Sequence, residues 1–171
     1  SSYLDDVLRQ IENKDHYTYG HCKRVMDYSI KLATAMKLSG ISINNITVAA
    51  AFHDVGKCFV PDEILKKKGK LSEDEFLYII KHPLHSSRIL KKKFGRDITS
   101  IVESHHERID GSGYPFGKTG RDIPIEAQII AVADSFDAMT SNRAYNEPKT
   151  PKEAIKELSS MTDKYNGKVV E

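Results

Sequence analysis

The sequence predicts an all-α fold, a helical bundle that carries one long ordered loop. Apolar residues recur with the helical period of about 3.6 along the chain. Neither an internal repeat nor a low-complexity linker interrupts this pattern. A length of 171 residues suits one domain that buries its own core. We therefore expect a single helical domain over residues 1–171.

The composition argues against several classes of protein. Hydrophobic residues make up 39% and charged residues 29%, which is typical of a globular domain. A net charge of +2 gives no reason to expect duplex nucleic acid or a membrane surface as partner. No apolar run is long enough to span a bilayer, and no signal peptide is recognisable. Cys22 and Cys58 form no CxxC pair, so we expect reduced thiols and a cytoplasmic location.

The two ends of the chain suggest a module excised from a longer protein. The sequence starts with Ser1 rather than Met. It stops at Glu171, within what reads as a helical pattern. A multidomain parent protein is therefore our expectation.

The first predicted helix runs from about Thr18 to Lys37. Its inward stripe consists of residues at helical spacing, namely His21, Val25, Ser29, Leu32 and Met36. His21 therefore faces the core. A second helix, from about Asn44 to Val55, delivers His53 and Asp54 at its C-terminal end.

Later elements are marked by capping signals and turn formers. Ser72 to Glu75 and Thr150 to Glu153 have the capping-box spacing, so helices should start near positions 73 and 151. The residues between Arg108 and Arg121 are rich in glycine, which predicts a long loop of the kind that usually carries function. An apolar helix should follow over Ile125–Ser141. It carries Asp134 and Asp137 one turn apart.

Histidines and aspartates concentrate at these inward positions. Five of the seven histidines are involved: His21, His53, His82, His105 and His106. One such histidine is more often a core residue with a satisfied hydrogen bond. Together with Asp54 and Asp134, however, the set offers nitrogen and oxygen ligands that suit Fe, Mn, Zn or Ni. Asp134 lies in an apolar run where an unpaired carboxylate would be costly; pairing with a helix N-terminus or an arginine is the alternative to a metal.

Consecutive ligand pairs favour more than one metal ion. Neighbouring helical residues point about 100° apart, so the pairs His53-Asp54 and His105-His106 reach two ions more easily than one. Two metals can activate water and clamp a phosphate for in-line displacement. Asp54 is the natural bridging ligand.

Two motifs resemble a known family. FHDVGK, at Phe52 to Lys57, resembles the signature of the HD superfamily, and HHERIDGSGYP, at His105 to Pro115, resembles that of the HD-GYP subfamily. The similarity continues through YTYGHCKRV, VPDEILKKKGKLSEDEF, the His82-Pro83 pair and VADSFDAMTSNRAY. It therefore covers nearly the whole chain.

The resemblance implies an HD-domain helical bundle with a long ordered GYP loop. It implies hydrolysis of cyclic di-GMP to pGpG, in some members on to GMP, by a cluster of two or three Fe or Mn ions in bacterial second-messenger signalling. It also implies an upstream sensory or receiver domain, and we expect a homodimer. The implied metal ligands are His21, His53, Asp54, His82, His105, His106 and Asp134.

The resemblance also implies roles in catalysis and substrate binding. Asp54 and Lys57 would be catalytic, with Lys57 near the scissile phosphate, although a solvated lysine is the alternative. The substrate-binding loop would comprise Gly111, Gly113, Tyr114 and Pro115, unless it is a purely structural turn. Arg143 matches a position that contacts ligand phosphate. Asp15 would assist proton transfer or simply cap the helix that follows it.

Three positions depart from the family pattern. Tyr17 stands where members with three metals carry Glu, which favours a dinuclear site and leaves a third metal and the step to GMP in doubt. Ser86 replaces a usual Gly, which we interpret as a packing variation. Asn146 replaces a frequent Lys, which removes one charge near the ligand. The basic runs at 66–68 and 91–93 are interpreted as solvated surface.

Other functions remain open at this point. The chain could hydrolyse a different cyclic dinucleotide, because no purine-reading residue is identifiable. It could be a catalytically silent module that binds the nucleotide, or a di-iron oxygenase, since some HD-superfamily folds use iron for oxygen chemistry.

Overall fold

The computed structural model describes residues 2–142 and 147–171. Within them the chain forms helices α1 to α9. Their bounds are Ser2–Lys14, His16–Ala35, Gly40–Phe52, Asp62–Leu65, Glu73–Leu90, Arg96–Ser104, Ile125–Thr140, Pro151–Ser160 and Gly167–Val170. Two 3₁₀ helices, Val55–Phe59 and Gly120–Asp122, lie in the connections. The described residues contain no strand, only one antiparallel bridge between Asp110 and Thr119, and the predicted all-α fold is confirmed.

Helix α2 is displaced from its predicted bounds at both ends. It begins at His16 because Asp15 caps it, accepting a hydrogen bond from the Tyr17 N–H at 3.0 Å. It ends at Ala35 rather than Lys37. Lys37 has a φ of 59°, in the left-handed region that cannot continue a right-handed helix.

Helix α3 is also shifted from the predicted Asn44–Val55. Ser39 caps its N-terminus, so the helix starts at Gly40, and it ends at Phe52. From Val55 the chain turns into the first 3₁₀ helix, where Gly56 lies against α5. A Cβ at Gly56 would lie 2.3 Å from the His82 carbonyl oxygen, so only glycine permits this approach.

Ser86 contributes to the same contact between the 3₁₀ helix and α5. It is fully buried, and its hydroxyl accepts a hydrogen bond from the Gly56 N–H at 2.7 Å. The serine therefore stabilises the turn that follows His53 and Asp54. The sequence predicted only a variation in packing at this position, and the hydrogen bond is an additional role.

The capping signals predicted the starts of two helices correctly. Ser72 and Glu75 form a complete capping box at the start of α5. Thr150 caps α8, which has Pro151 in its first turn. The prediction for α7 was right within one residue. Helices α1, α4, α6 and α9 had not been assigned from the sequence.

The helices pack around α2, α3 and α7. Helix α2 packs against α3 and α7, α3 packs against α6, and α5 packs against α6 and the first 3₁₀ helix. The core between them is aliphatic, with Val25, Ile46, Leu90, Ile101 and Ile129 almost completely buried. Over the described ranges, no helix is both long and apolar enough to cross a membrane.

Candidate metal centre

The side chains predicted as metal ligands converge at one buried centre. They form two ligand groups that share Asp54. The first ligand group is Asp54, His82, His105 and His106. The second ligand group is His21, His53, Asp54 and Asp134. Within each group the candidate ligand atoms lie within 4.8 Å of one another, so each group is compact enough to surround one ion.

Several buried polar atoms of this centre have no partner in the part of the chain that the structure describes. They are the Nε2 atoms of His53, His82 and His105 and the Oδ1 atom of Asp54. His82 Nε2 lies 3.1 Å from Asp54 Oδ1, yet the two are not aligned as a hydrogen bond. Each buried polar atom without a partner costs about 1–3 kcal/mol. A divalent transition-metal ion bound by these nitrogens and oxygens would remove that cost, and the donor set fits one.

Three of the imidazoles are oriented by the backbone of their own helices. The Nδ1 atoms of His53, His82 and His105 lie 2.5–2.6 Å from the carbonyl oxygens three residues earlier, those of Ala50, Ile79 and Val102. A neutral imidazole that donates from Nδ1 presents the Nε2 lone pair to a metal. All three Nε2 atoms are thus directed into the centre.

The carbonyl oxygens that accept these bonds have no N–H partner within their own helices, and the cause is local in each case. His53 and His105 are the C-caps of α3 and α6, where the last carbonyls of a helix have no intrahelical N–H partner. His82 lies within α5, but Pro83 follows it and has no N–H. The Ile79 carbonyl, which would otherwise accept from position 83, is therefore free for His82.

His21 is oriented by a distant side chain instead. Its Nδ1 lies 2.6 Å from Asp137 Oδ2, and its Nε2 lies 2.5 Å from Asp134 Oδ1. Arg24 Nε donates to Asp137 Oδ1 at 2.7 Å and fixes that carboxylate. Burial opposes a charged imidazole at His21, but the two carboxylates outweigh it and raise the pKa of His21.

Electrostatics within the first ligand group favour an ionised carboxylate at Asp54 beside neutral imidazoles at His105 and His106. Burial opposes ionisation of Asp54, but His53 and Lys57 outweigh it and hold the pKa of the Asp54 carboxyl well below its usual range. Burial lowers the pKa of His105 to about 4. Burial and the neighbouring His105 lower the pKa of His106 well below its usual value. Metals bind the ionised carboxylate and the neutral imidazole, so these residues are in the ligating state near neutral pH.

Lys57 lies beside the ligands. Its Nζ is 3.2 Å from Asp54 Oδ2, and its side chain is 22% exposed. Burial opposes a charge on Lys57, but the Asp54 carboxylate outweighs it and raises the lysine pKa. The Lys57 ammonium, whose charge is favoured by Asp54, thus lies at the edge of the centre.

A cleft of about 390 Å³ opens onto the centre, within the size range of small-molecule sites. Its residues come from the centre, from α4 and the segment between α4 and α5, and from α5, α7 and the GYP loop. They are His21, Lys57, Ile64, Leu65, Lys67, Gly69, Leu71, Ile79, His82, His106, Tyr114, Asp134 and Ala138. Four of the candidate ligands, His21, His82, His106 and Asp134, therefore line a cleft that a small molecule could enter.

The predicted GYP loop forms part of this cleft through Tyr114. The Tyr114 ring stacks on His106, with centroids 4.8 Å apart and planes inclined by 20°. Burial raises the pKa of the Tyr114 phenol, which keeps its proton as a hydrogen-bond donor. A Cβ at Gly113 would lie 2.3 Å from the His106 carbonyl oxygen, so glycine lets the loop pass there. Gly111 has a φ of 82°, which also favours glycine, and Pro115 follows Tyr114 through a cis peptide bond.

Asp15 belongs neither to the two ligand groups nor to the residues that line the cleft. Asp15 caps α2, and its second oxygen accepts a hydrogen bond from the Thr18 hydroxyl at 2.7 Å. Both carboxylate oxygens of Asp15 therefore accept hydrogen bonds at the start of α2, as the capping interpretation expects. The role in proton transfer stays a prediction. Arg143 and Asn146 lie outside the described residues.

Tyr17, the residue in the place of the expected Glu, lies beside the second ligand group. Its ring stacks on His21 with centroids 5.7 Å apart. The position is thus adjacent to the centre, but the side chain offers no carboxylate.

Sequence reasoning missed two residues that support the centre. Asp137 orients His21. Its position one helical turn from Asp134 was the signal that could have revealed this role. Glu107 is 2% exposed and accepts hydrogen bonds from the backbone N–H groups of Phe116 at 2.7 Å and Lys118 at 2.9 Å. It fixes the end of the GYP loop. Only its place next to His106 hinted at a role.

Known proteins support the motif similarity. The curated relatives include a cyclic di-GMP phosphodiesterase of Thermotoga maritima, 43% identical over 97% of this chain and 46% of the relative. The cyclic di-GMP phosphodiesterase response regulator RpfG of Xanthomonas campestris is 41% identical over 89% of this chain and 41% of its own length. A 3'3'-cGAMP-specific phosphodiesterase of Vibrio cholerae is 37% identical over 94% of this chain and 31% of its own length. The chain thus spans less than half the length of these relatives.

Solved structures share the fold. Bd1817, a HDG"Y"P protein from Bdellovibrio bacteriovorus, superposes with a TM-score of 0.74 at 22% identity, over 89% of this chain and 49% of that chain. The HD domain of the L. monocytogenes phosphodiesterase PgpH in complex with cyclic-di-AMP gives a TM-score of 0.67 at 19% identity, over 96% of this chain and 91% of that chain.

The family model described as HD domain matches residues 7–169, almost the full chain. Together with the relatives above, it confirms the resemblance that the two sequence motifs indicated. This chain belongs to the HD domain family, within its HD-GYP branch.

Proposed function

We propose that this chain is a metal-dependent phosphodiesterase domain that hydrolyses cyclic di-GMP to pGpG. The observation that carries the proposal is the pair of ligand groups sharing Asp54, which open into a cleft beside Lys57. Two ions held side by side by such a pair would clamp the attacking and the leaving oxygen of a phosphodiester. The names of the relatives from Thermotoga maritima and Xanthomonas campestris support the substrate.

The proposed ligands of two ions are the members of the two groups, with Asp54 between them. Mixed imidazole and carboxylate ligands favour Fe or Mn over Mg or Ca. When bound, these ions supply Lewis acidity that activates water and stabilises charge on phosphate oxygens. A third ion is not part of the proposal, because Tyr17 lacks the carboxylate that would bind it.

The side chains around the ligands bind and orient the substrate. Lys57 neutralises charge on the oxygens of the phosphate that reacts. Tyr114, held against His106, offers a phenol O–H and an aromatic face at the cleft wall. Gly111, Gly113 and Pro115 shape the loop that carries it. The family resemblance supports a further phosphate contact for Arg143, which lies outside the described residues.

The reaction consumes one water molecule. The water oxygen forms a new bond to phosphorus, the bond from phosphorus to the 3′ oxygen breaks, and the 3′ oxygen takes up a proton. Cyclic di-GMP and water thus give linear pGpG with a terminal 5′-phosphate. Hydrolysis on to GMP would repeat the step at the remaining diester and is expected to be inefficient without a third ion.

The direct test is turnover by the purified protein loaded anaerobically with Fe(II) or Mn(II). Bound metal is counted and cyclic di-GMP is followed by chromatography. We expect about two metals per chain and accumulation of pGpG. Lys57→Ala should retain its metal and lose activity by about 100-fold, because it removes one charge aimed at the phosphate.

Other outcomes would point to the competing functions. Tight binding of intact cyclic di-GMP without product would identify a silent binding module. An oxidised product that requires O₂ would identify an oxygenase. Parallel assays with 3'3'-cGAMP and cyclic di-AMP test the second candidate, a different cyclic dinucleotide, which the names of the Vibrio cholerae relative and the PgpH complex favour.

The setting of the domain is part of the proposal. The relatives are more than twice as long as the region they share with this chain, and one is named a response regulator. This supports a single phosphodiesterase domain at 1–171 with a sensory or receiver domain upstream. The homodimer and the cytoplasmic location stay predictions.

A further inference from the structure

Two lysine side chains from different segments of the chain line the cleft. Of the described residues that line it, the lysines are Lys57, next to the metal ligands, and Lys67, on the segment between α4 and α5. Lys57 is paired with Asp54 at 3.2 Å and therefore belongs to the reacting side. Lys67 lines the cleft together with Leu65, Gly69 and Leu71, and we call this part of the lining the outer wall.

Within the basic run at 66–68, Lys67 differs from its two neighbours in its position relative to the cleft. Lys66, Lys67 and Lys68 are consecutive and exposed, and the sequence alone gave no reason to distinguish them. Only Lys67 of the three lines the cleft. The turn that follows depends on Gly69, whose φ of 98° is in the left-handed region.

Glu75 holds the Lys67 side chain in place. Lys67 Nζ lies 2.6 Å from Glu75 Oε1, and the two side chains are 38% and 26% exposed. Glu75 is itself fixed, because the same oxygen accepts a hydrogen bond from the Ser72 N–H in the capping box of α5. An ammonium has three N–H donors, so Lys67 retains donors for a ligand in the cleft.

A cyclic dinucleotide carries two phosphodiester groups on opposite sides of a closed ring. When one phosphate lies at the metal ligands and Lys57, the other is directed away from the centre. The remainder of the outer wall is largely aliphatic, through Leu65, Leu71 and Ile79, and offers no other cation among the described residues.

We propose that Lys67 binds the second, non-reacting phosphate of the cyclic dinucleotide and thereby selects substrates with two phosphodiester groups. This inference rests on the proposed function for the position of the first phosphate. It assigns substrate selection to a residue outside the metal centre and outside the two family motifs.

The test compares Lys67→Ala with Lys68→Ala, which removes the same charge from the same segment but not from the cleft wall. Both are assayed with Mn(II) on cyclic di-GMP and on bis(4-nitrophenyl) phosphate, which has one phosphodiester. We expect Lys67→Ala to raise KM for cyclic di-GMP about tenfold with kcat within about twofold of the wild type, as for one solvent-screened charge-assisted hydrogen bond. Lys68→Ala should leave both values unchanged. Lys67→Arg should recover most of the loss.

The small substrate separates phosphate recognition from a structural effect. Because it has no second phosphate, its kcat/KM should be unchanged in Lys67→Ala. Equal losses on both substrates, or equal KM values for Lys67→Ala and Lys68→Ala, would overturn the inference.

A binding measurement keeps this test distinct from that of the proposed function. If the wild type binds cyclic di-GMP without turnover, hydrolysis fails as the function, but Lys67→Ala should still raise Kd about tenfold. An unchanged Kd would overturn the assignment of Lys67. If the wild type neither binds nor hydrolyses a cyclic dinucleotide, both proposals are overturned.

Discussion

Two parts of the metal centre orient their imidazoles by different means. In one part, His53, His82 and His105 donate to carbonyl oxygens three residues earlier in the chain. In the other part, His21 on α2 depends on Asp137 of α7, 116 residues away, and Asp137 depends in turn on Arg24. The first arrangement needs only a carbonyl oxygen without an intrahelical N–H partner, which a helix end or a following proline provides. The second exists only when α2 and α7 have packed together.

This difference teaches where the centre is vulnerable. A backbone carbonyl is present whatever the side chain, so the orientation of His82 and His105 tolerates substitution of their acceptor residues. The orientation of His21 depends on a single carboxylate that one substitution removes. Mutations should therefore separate the two ligand groups.

The largest effect should come from Asp54, which belongs to both groups. Asp54→Ala removes the shared carboxylate and leaves several buried imidazoles without a counter-charge, so we expect metal at both groups to be lost and turnover to fall by about 1000-fold or more. Metal analysis and the cyclic di-GMP assay measure this. Asp27→Ala, on the exposed face of α2, is the matched control. Wild-type turnover in Asp54→Ala would refute the assignment of the centre.

A smaller and more selective effect is expected for Asp137→Asn. Loss of a carboxylate that orients a ligating histidine typically weakens metal binding about 10- to 100-fold. The loss should fall on the second ligand group, so that a metal titration shows one weakened and one unchanged site, and Asp27→Asn should behave as the wild type. Equal weakening of both sites would contradict the separation of the two groups.

Pro83→Ala tests the backbone side of the comparison. The substitution restores an N–H that competes with His82 for the Ile79 carbonyl. Metal affinity at the first ligand group should therefore fall about threefold, which is within the net free energy of one hydrogen bond. The free energy of unfolding should not fall, since alanine favours the helix interior. Pro151→Ala, in the first turn of α8, restores an N–H without an intrahelical acceptor and is the control. A metal affinity equal to that of the wild type would show that the freed carbonyl is not needed.

The smallest expected effect is a change in the pKa of Glu75. This carboxylate has one hydrogen-bond partner in its own helix cap, Ser72, and a second in the preceding segment, Lys67. The Lys67 ammonium, followed by hydrogen bonds from Ser72, lowers the pKa of Glu75 from 4.5 to about 2. Because the folded-state pKa lies below the unfolded value, the stabilisation is present above pH 4.5 and is lost as the pH falls toward 2. In an NMR titration, Lys67→Ala should raise this pKa more than Ser72→Ala. The opposite order would show that the Ser72 hydroxyl dominates, because Ser72→Ala keeps the backbone N–H that donates to Glu75.

The same contrast explains which parts of the fold the sequence predicted. Capping residues at Ser72 and Thr150 act on the next turn of chain, so the starts of α5 and α8 were predicted correctly. The end of α2 was not, because nothing in its periodicity revealed the left-handed conformation of Lys37. The end of α3 depends on Gly56 fitting against α5, a contact that no local pattern encodes.

By itself the sequence determined the helical class, the candidate ligands and the resemblance to the HD-GYP family. Helical period, ligand chemistry and motif spacing are properties of short stretches of chain. Only the tertiary structure decided how the candidate ligands divide between two groups, that Asp137 and Glu107 support the centre, and that Lys67 rather than Lys66 or Lys68 lines the cleft. The reason is physical, since these facts depend on distances between residues far apart in sequence, which are set by the packing of the helices.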